Sequence, residues 1–173
     1  MLEYAGIQSP LMLEGGFRAW QTSKYPIEKS RIAFIRTEFK ADFDPSVLAT
    51  IEHVRSLSTS RTGLVLDVRS KGEYNGSEKR KCCPRSGRIP RSIWFEWTNF
   101  LDHRGGFRNR RSIEKQLRSK GLRLGSDIDV YCHRGARAAA AFYALRSMGY
   151  NKARNYVGSW HEWSSKKNLP RGA

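Results

Sequence analysis

Ile128-Asp129-Val130-Tyr131-Cys132-His133-Arg134-Gly135-Ala136-Arg137-Ala138 holds the transition that decides the architecture. Its first four residues read as a short buried strand, and the stretch from Ala138 to Met148, closed by Gly149, reads as a helix. Cys132 therefore stands directly after a strand and just before a helix. Upstream, Leu64-Val65-Leu66-Asp67-Val68 after Gly63 is a continuous aliphatic run of the kind a strand buried on both faces requires, so it should be central. Asp44-Pro45 has the form of a helix start, with a carboxylate cap and Pro at the first position, and Val47, Leu48, Ile51 and Val54 fall on one face. Ile32 to Ile35 is a further short apolar segment, and Ser112 is placed to cap a helix carrying Ile113 and Leu117 that stops at Gly121. Buried strands alternating with helices imply a mostly parallel sheet covered on both faces, with ligands at the carboxyl ends of its strands. Cys132 is at such an end.

The loop's residue types set its chemistry. A cysteine at a helix start meets unsatisfied N–H groups and the positive end of the helix, which favour thiolate over thiol. His133, Arg134 and Arg137 add donating or cationic groups, and Gly135 lets the backbone turn so that successive N–H groups can form an anion cradle. Four residues separate Cys132 from Arg137. Cysteine phosphatases place one more residue in that ring to encircle a tetrahedral phosphate. The tighter ring suits a single terminal sulfur carried on the cysteine, a persulfide, better than a phosphoryl group.

Composition narrows the setting. The 173 residues are 39% hydrophobic and 12% aromatic, which is globular, and no apolar run is long enough for a membrane span. The first residues lack a secretory signal, so a cytoplasmic address is the expectation. Three cysteines, with Cys82 and Cys83 adjacent, do not form a disulfide framework, and no Cys or His spacing marks a structural zinc site. No metal and no cofactor are expected. The 32 Lys and Arg against 16 Asp and Glu leave a net charge of +16, concentrated from Lys79 to Arg91 and from Arg104 to Arg123. A solvated surface is the first reading of these runs; attraction of anionic substrates or polymers is the second, and no motif supports nucleic acid as a partner. Trp94, Trp97, Trp160 and Trp163 sit among apolar neighbours, which favours packing over base stacking.

A partial internal repeat emerges when the chain is slid on itself. Gly6, Gly15 and Trp20 fall on Gly149, Gly158 and Trp163, and Pro26 and Pro170 follow the two copies. The partner of Cys132 would lie before Met1. Residues 1–30 thus read as the tail of a preceding repeat plus a linker, residues 31–173 as a single α/β unit, and the chain as a fragment.

The segment Tyr131 to Arg137 resembles the active-site loop of rhodanese-type sulfurtransferases. So do Asp67-Val68-Arg69-Ser70 with Glu73-Tyr74 and Gly76, then Gly87-Arg88-Ile89-Pro90, and Asn155-Tyr156-Val157-Gly158-Ser159-Trp160-His161-Glu162-Trp163, all in the family's order. The likeness is greatest to the C-terminal, catalytic domain of tandem thiosulfate or 3-mercaptopyruvate sulfurtransferases, and Leu13 to Trp20 is similar to the end of their N-terminal domain.

The resemblance implies a three-layer α/β fold with a central, mostly parallel five-stranded sheet and helices on both faces. It implies a ping-pong reaction in which Cys132 takes sulfane sulfur from thiosulfate or another anionic donor and passes it to cyanide or a thiol. Main-chain N–H groups of residues 133–137, including Gly135 and Ala136, would hold the persulfide. Arg137, His133 and Arg134 would attract the donor, with Arg69 nearby and Asp67 bracing the site; for the last two, a strand-end salt bridge is the competing assignment. Mercaptopyruvate enzymes carry a neutral loop and an arginine where Asn75 stands, so the basic loop favours thiosulfate. Arg91 occupies a position that is usually small. Cys82 and Cys83 lie in an insertion, as bystanders more than as sulfur-accepting thiols. A persulfide carrier with slow turnover is the alternative function, and an exposed former domain interface would favour self-association.

Overall fold

The computed structural model describes residues 1–60 and 63–172. Four parallel strands, β1 (Gly63–Asp67), β2 (Ile93–Trp94), β3 (Asp127–Tyr131) and β4 (Ala153–Asn155), form a sheet in the order β2-β1-β3-β4. Five strands were expected. The place of the fifth, beyond β4, is held by a single parallel bridge between Leu48 and Asn155.

Strand alternation divides the core into two layers. Leu66 and Val68, then Ile128 and Val130, are fully buried against Ile113 and Leu117 of α4 (Arg110–Ser119) and against Ala138, Ala141, Phe142 and Leu145 of α5 (Ala136–Ser147). Val65 and Tyr131, of opposite parity, pack with Val54 and Leu57 of α2 (Ile51–Thr59) and with Trp160 and Trp163 of α6 (Ser159–Ser165). Each fully buried aliphatic side chain stabilises the fold by about 1.5–3 kcal/mol. Trp160 and Trp163 are core residues, with their indole N–H groups on the carbonyls of Arg85 and Pro170. Cys132 continues the Ile128–Val130 parity and therefore starts on the α5 side of the sheet.

Two helix starts differ from those read in the sequence. Asp44 does cap, accepting from Ser46 N, but the turn it opens is a 3₁₀ segment of three residues, Pro45–Val47. Leu48 is extended, with φ −111° and ψ 141°, because it bridges to Asn155; Thr50 then caps α2 anew by accepting from His53 N. Pairing with the sheet edge outweighs a continuous helix. Likewise Asn109, not Ser112, caps α4 by accepting from Arg111 N, one turn earlier than expected. Residues 32–35 form no regular element, and Ile32, Phe34 and Ile35 are exposed.

A short α1 (Gly16–Thr22) precedes this unit. It and α6 are both seven residues long and lie at equivalent positions of the two segments aligned above; Trp20 donates to Pro26 O and Trp163 to Pro170 O, each at 2.8 Å. The N-terminal residues are tied to the unit by Asp44 N to Tyr4 O and Asp42 N to Ala5 O. No helix among the described residues is long and apolar enough to cross a membrane.

Candidate active site

The Cys132 loop leaves the carboxyl end of β3 and enters α5 at Gly135, whose φ of 82° needs a glycine; a Cβ there would also lie 3.0 Å from Val157 Cα. The loop is docked on the first turn of α6. Trp160 N donates to Cys132 O and His161 N to His133 O, both at 3.0 Å. The peptides among the described residues are all trans, so a carbonyl turned toward α6 turns the following N–H away from it. The amides of His133 and Arg134 therefore point away from α6, and among the described residues neither they nor those of Ala136 and Arg137 have a protein acceptor.

Ser159 organises the other side of the loop. Its hydroxyl oxygen accepts from Cys132 N and from Gly135 N, both at 3.1 Å, while its single proton goes to Tyr156 O at 2.7 Å. That leaves no proton for the Cys132 sulfur, which is 4.0 Å away. Ser159 is completely buried and holds a left-handed φ of 52°, a strained backbone kept by these three hydrogen bonds. The sequence showed Ser159 only as part of a motif. Ser159→Ala leaves two buried amides unpaired and is expected to cost about 1–3 kcal/mol in urea unfolding. An unchanged midpoint would show that the hydroxyl is dispensable.

Arg137, from the first turn of α5, is held by Glu73 of α3 (Lys71–Asn75) in a two-pronged ion pair, Nη1–Oε2 2.7 Å and Nη2–Oε1 3.0 Å. Burial weakens the charge on Arg137, but Glu73 and the Cys132 sulfur outweigh it and hold its proton more firmly than usual. Glu73 is itself buried. Burial alone would raise its carboxyl, yet hydrogen bonds from Arg137 and Arg80 hold it down at about 2. Ser70 and Glu73 cap α3 reciprocally, a Ser-x-x-Glu pattern that is visible in the sequence.

The remaining expected site residues are divided. Arg134 is exposed. Burial pushes the His133 imidazolium down, and Arg134, Arg80 and Arg137 add to this against the opposing pull of Glu73, so the ring is mostly neutral at pH 7; its Nε2 faces Cys82 Sγ at 3.2 Å and Cys83 Sγ at 3.3 Å. The insertion thiols therefore reach the loop. Arg69 does not lie where a donor anion would meet it. It is 1% exposed, bonded to Asp67 (Nε–Oδ1 2.9 Å, Nη2–Oδ2 2.6 Å) and Gly87 O, and stacked over Trp160 in the α6-side layer, opposite the face that carries Cys132. Asp67 also accepts from Tyr131 OH at 2.5 Å, and burial with that carboxylate pushes the phenol well above its usual range, so it stays a donor. The pair matches the salt-bridge assignment and fixes the ends of β1 and β3 side by side. Arg91 has a left-handed φ of 59°, which is why small residues suit its turn.

Cys132 is 1% exposed.

Residues 50–166 match the model of the rhodanese-like domain. The chain is 25% identical over 171 residues to a 3-mercaptopyruvate sulfurtransferase of Escherichia coli, covering 98% of this chain and 60% of that protein. It is 29% identical over 185 residues to a thiosulfate sulfurtransferase of Corynebacterium glutamicum, covering 98% and 59%. Among solved structures, a probable thiosulfate sulfurtransferase is 38% identical with a TM-score of 0.75, over 99% of this chain and 65% of that one. A variant of EanB solved with hercynine is 26% identical with a TM-score of 0.93, over 99% and 43%. The chain spans about 60% of the length of these curated relatives.

Proposed function

The chain belongs to the rhodanese-like domain family, and we propose that it moves sulfane sulfur through a persulfide on Cys132. The Cys132 thiolate attacks the outer sulfur of thiosulfate, the S–S bond breaks, and sulfite leaves with the electron pair. Cyanide or a thiolate then attacks the terminal sulfur and returns the cysteine to its thiolate. The observation that carries this reading is the docking of the Cys132 and His133 carbonyls on α6, which turns the next amides away from that helix, where they can hold a terminal sulfur.

Thiosulfate is the donor this reading favours. Glu73 neutralises Arg137 and His133 is uncharged, so attraction of an anion falls first on exposed Arg134. The relatives' names divide between two donors, which makes 3-mercaptopyruvate the second reading. Residues 1–30 read as the tail of a preceding repeat, and residues 31–173 as the catalytic unit of a tandem protein. The paired seven-residue helices and their Trp-to-Pro hydrogen bonds support that arrangement, as do matches covering 98% of the chain. A cytoplasmic, reducing setting agrees with three free thiols.

Thiocyanate release from thiosulfate and cyanide tests the function. The intact chain should turn over and Cys132→Ser should fall to background, with thiosulfate giving the higher kcat/KM of the two donors. Equal rates in both proteins would end the reading; a higher kcat/KM for mercaptopyruvate would keep the chemistry and change the donor.

A further inference from the structure

We propose that Cys82, Cys83 and His133 form a binding site for a thiophilic divalent cation of the zinc class. Their three ligand atoms lie within 4.8 Å of one another, with His133 Nε2 at 3.2 Å and 3.3 Å from the two sulfurs. A tetrahedral zinc with bonds of about 2.3 Å to sulfur and about 2.0 Å to nitrogen needs edges of roughly 3.5 Å between S and N and roughly 3.8 Å between the sulfurs. The side chains stand close to that geometry already. Sequence spacing could not reveal it, because the thiols and the imidazole are 50 residues apart and come from different loops.

The segment that carries the thiols is built in, not loose. Arg85 donates to four carbonyls at and just beyond the end of α6, those of Trp163, Ser164, Lys166 and Leu169, at 2.8–2.9 Å. Its own carbonyl accepts from Trp160 Nε1, Cys83 N closes a turn on Arg80 O, and Arg80 is paired with Glu73. His133 is fixed from the other side through its carbonyl on His161 N. Ligands held by such contacts lose little freedom on binding.

Charge favours a dication with two thiols. On binding, each thiol releases one proton, so two thiolates neutralise the metal and no net charge is added beside Lys79, Arg80, Lys81 and Arg134. Cys83 is buried and Cys82 exposed, which leaves the fourth position open to water. Two Cys and one His with an open position is a ligand set that zinc accepts. Occupancy would tie the residue after Cys132 to the insertion.

Co2+ alone is the probe, titrated into the whole Cys132→Ser chain so that the catalytic thiol cannot contribute. One Co2+ per chain is expected, with thiolate-to-cobalt charge transfer, the strong visible bands of tetrahedral cobalt, and displacement by Zn2+. Adding Cys82→Ser, at an exposed position where folding is not at risk, should weaken binding about 100-fold or more, on the scale that even supporting contacts to metal ligands reach. Cobalt that keeps its hexaaqua spectrum would overturn the site. So would affinity unchanged by Cys82→Ser, or binding seen in the native chain but lost in Cys132→Ser. None of these results depends on sulfur transfer.

Discussion

Asp67→Ala is expected to destabilise the fold by about 3–5 kcal/mol, the cost of stripping the partner from a buried charge. Asp67 is completely buried and Arg69 is 1% exposed. The carboxylate takes three side-chain donor contacts from Arg69 and one from Tyr131; without it Arg69 keeps Gly87 O and Tyr131 OH, and Tyr131 keeps Arg69, Ile89 N and Ser92. For a chain of this size the loss corresponds to a fall in melting temperature of roughly 10 °C or more. Pairing Asp67→Ala with Arg69→Met should recover part of it, because the double change removes the buried charge that the single one strands. Thermal unfolding of the three variants checks this. A single-variant cost under about 1 kcal/mol would mean that water reaches Arg69.

Glu73→Gln should cost about 3 kcal/mol at neutral pH, and the penalty should fade in acid. The folded carboxyl lies at about 2 against an ordinary 4.5. A depressed carboxyl contributes stability that is fully present above its unfolded value and is lost as pH falls through the folded one. That depression is worth about 3 kcal/mol. Urea unfolding of native chain and variant should thus differ by that amount at pH 7, with the gap closing as pH drops from about 4.5 toward about 2. A constant gap would assign the effect to packing. Because Glu73 holds Arg137, the same variant frees the guanidinium at the first turn of α5, so sulfur transfer should fall as well.

The strand–loop–helix unit around Cys132 was legible because strand burial and helix start are local signals. The aliphatic run Leu64 to Val68 reads as a central strand and Ile128 to Tyr131 as the next one, and β1 and β3 are the two inner strands of the sheet. Asp44-Pro45 misled for an instructive reason: the capping signal is real, but Leu48 is drawn into the sheet edge and the helix restarts at Thr50. What sequence could not supply was contact across long separations. Glu73 meets Arg137 across 64 residues, Ser159 meets Cys132 across 27, and Arg85 meets α6 across about 80. The basic run from Lys79 to Arg91 read as solvated surface, yet Arg85 is tied into carbonyls at and beyond the end of α6, exposed Arg80 pairs with buried Glu73, and Arg88 stacks on Tyr74. Arg69 was placed by motif near the donor; parity along β1 puts it on the other face.

Intact mass after incubation with thiosulfate reads the chemistry at its first covalent step. The native chain should gain one sulfur atom per molecule, lose it on addition of cyanide, and show no gain as Cys132→Ser. A chain that gains no sulfur, or a Cys132→Ser variant that gains as much, would contradict a persulfide held in the loop between β3 and α5.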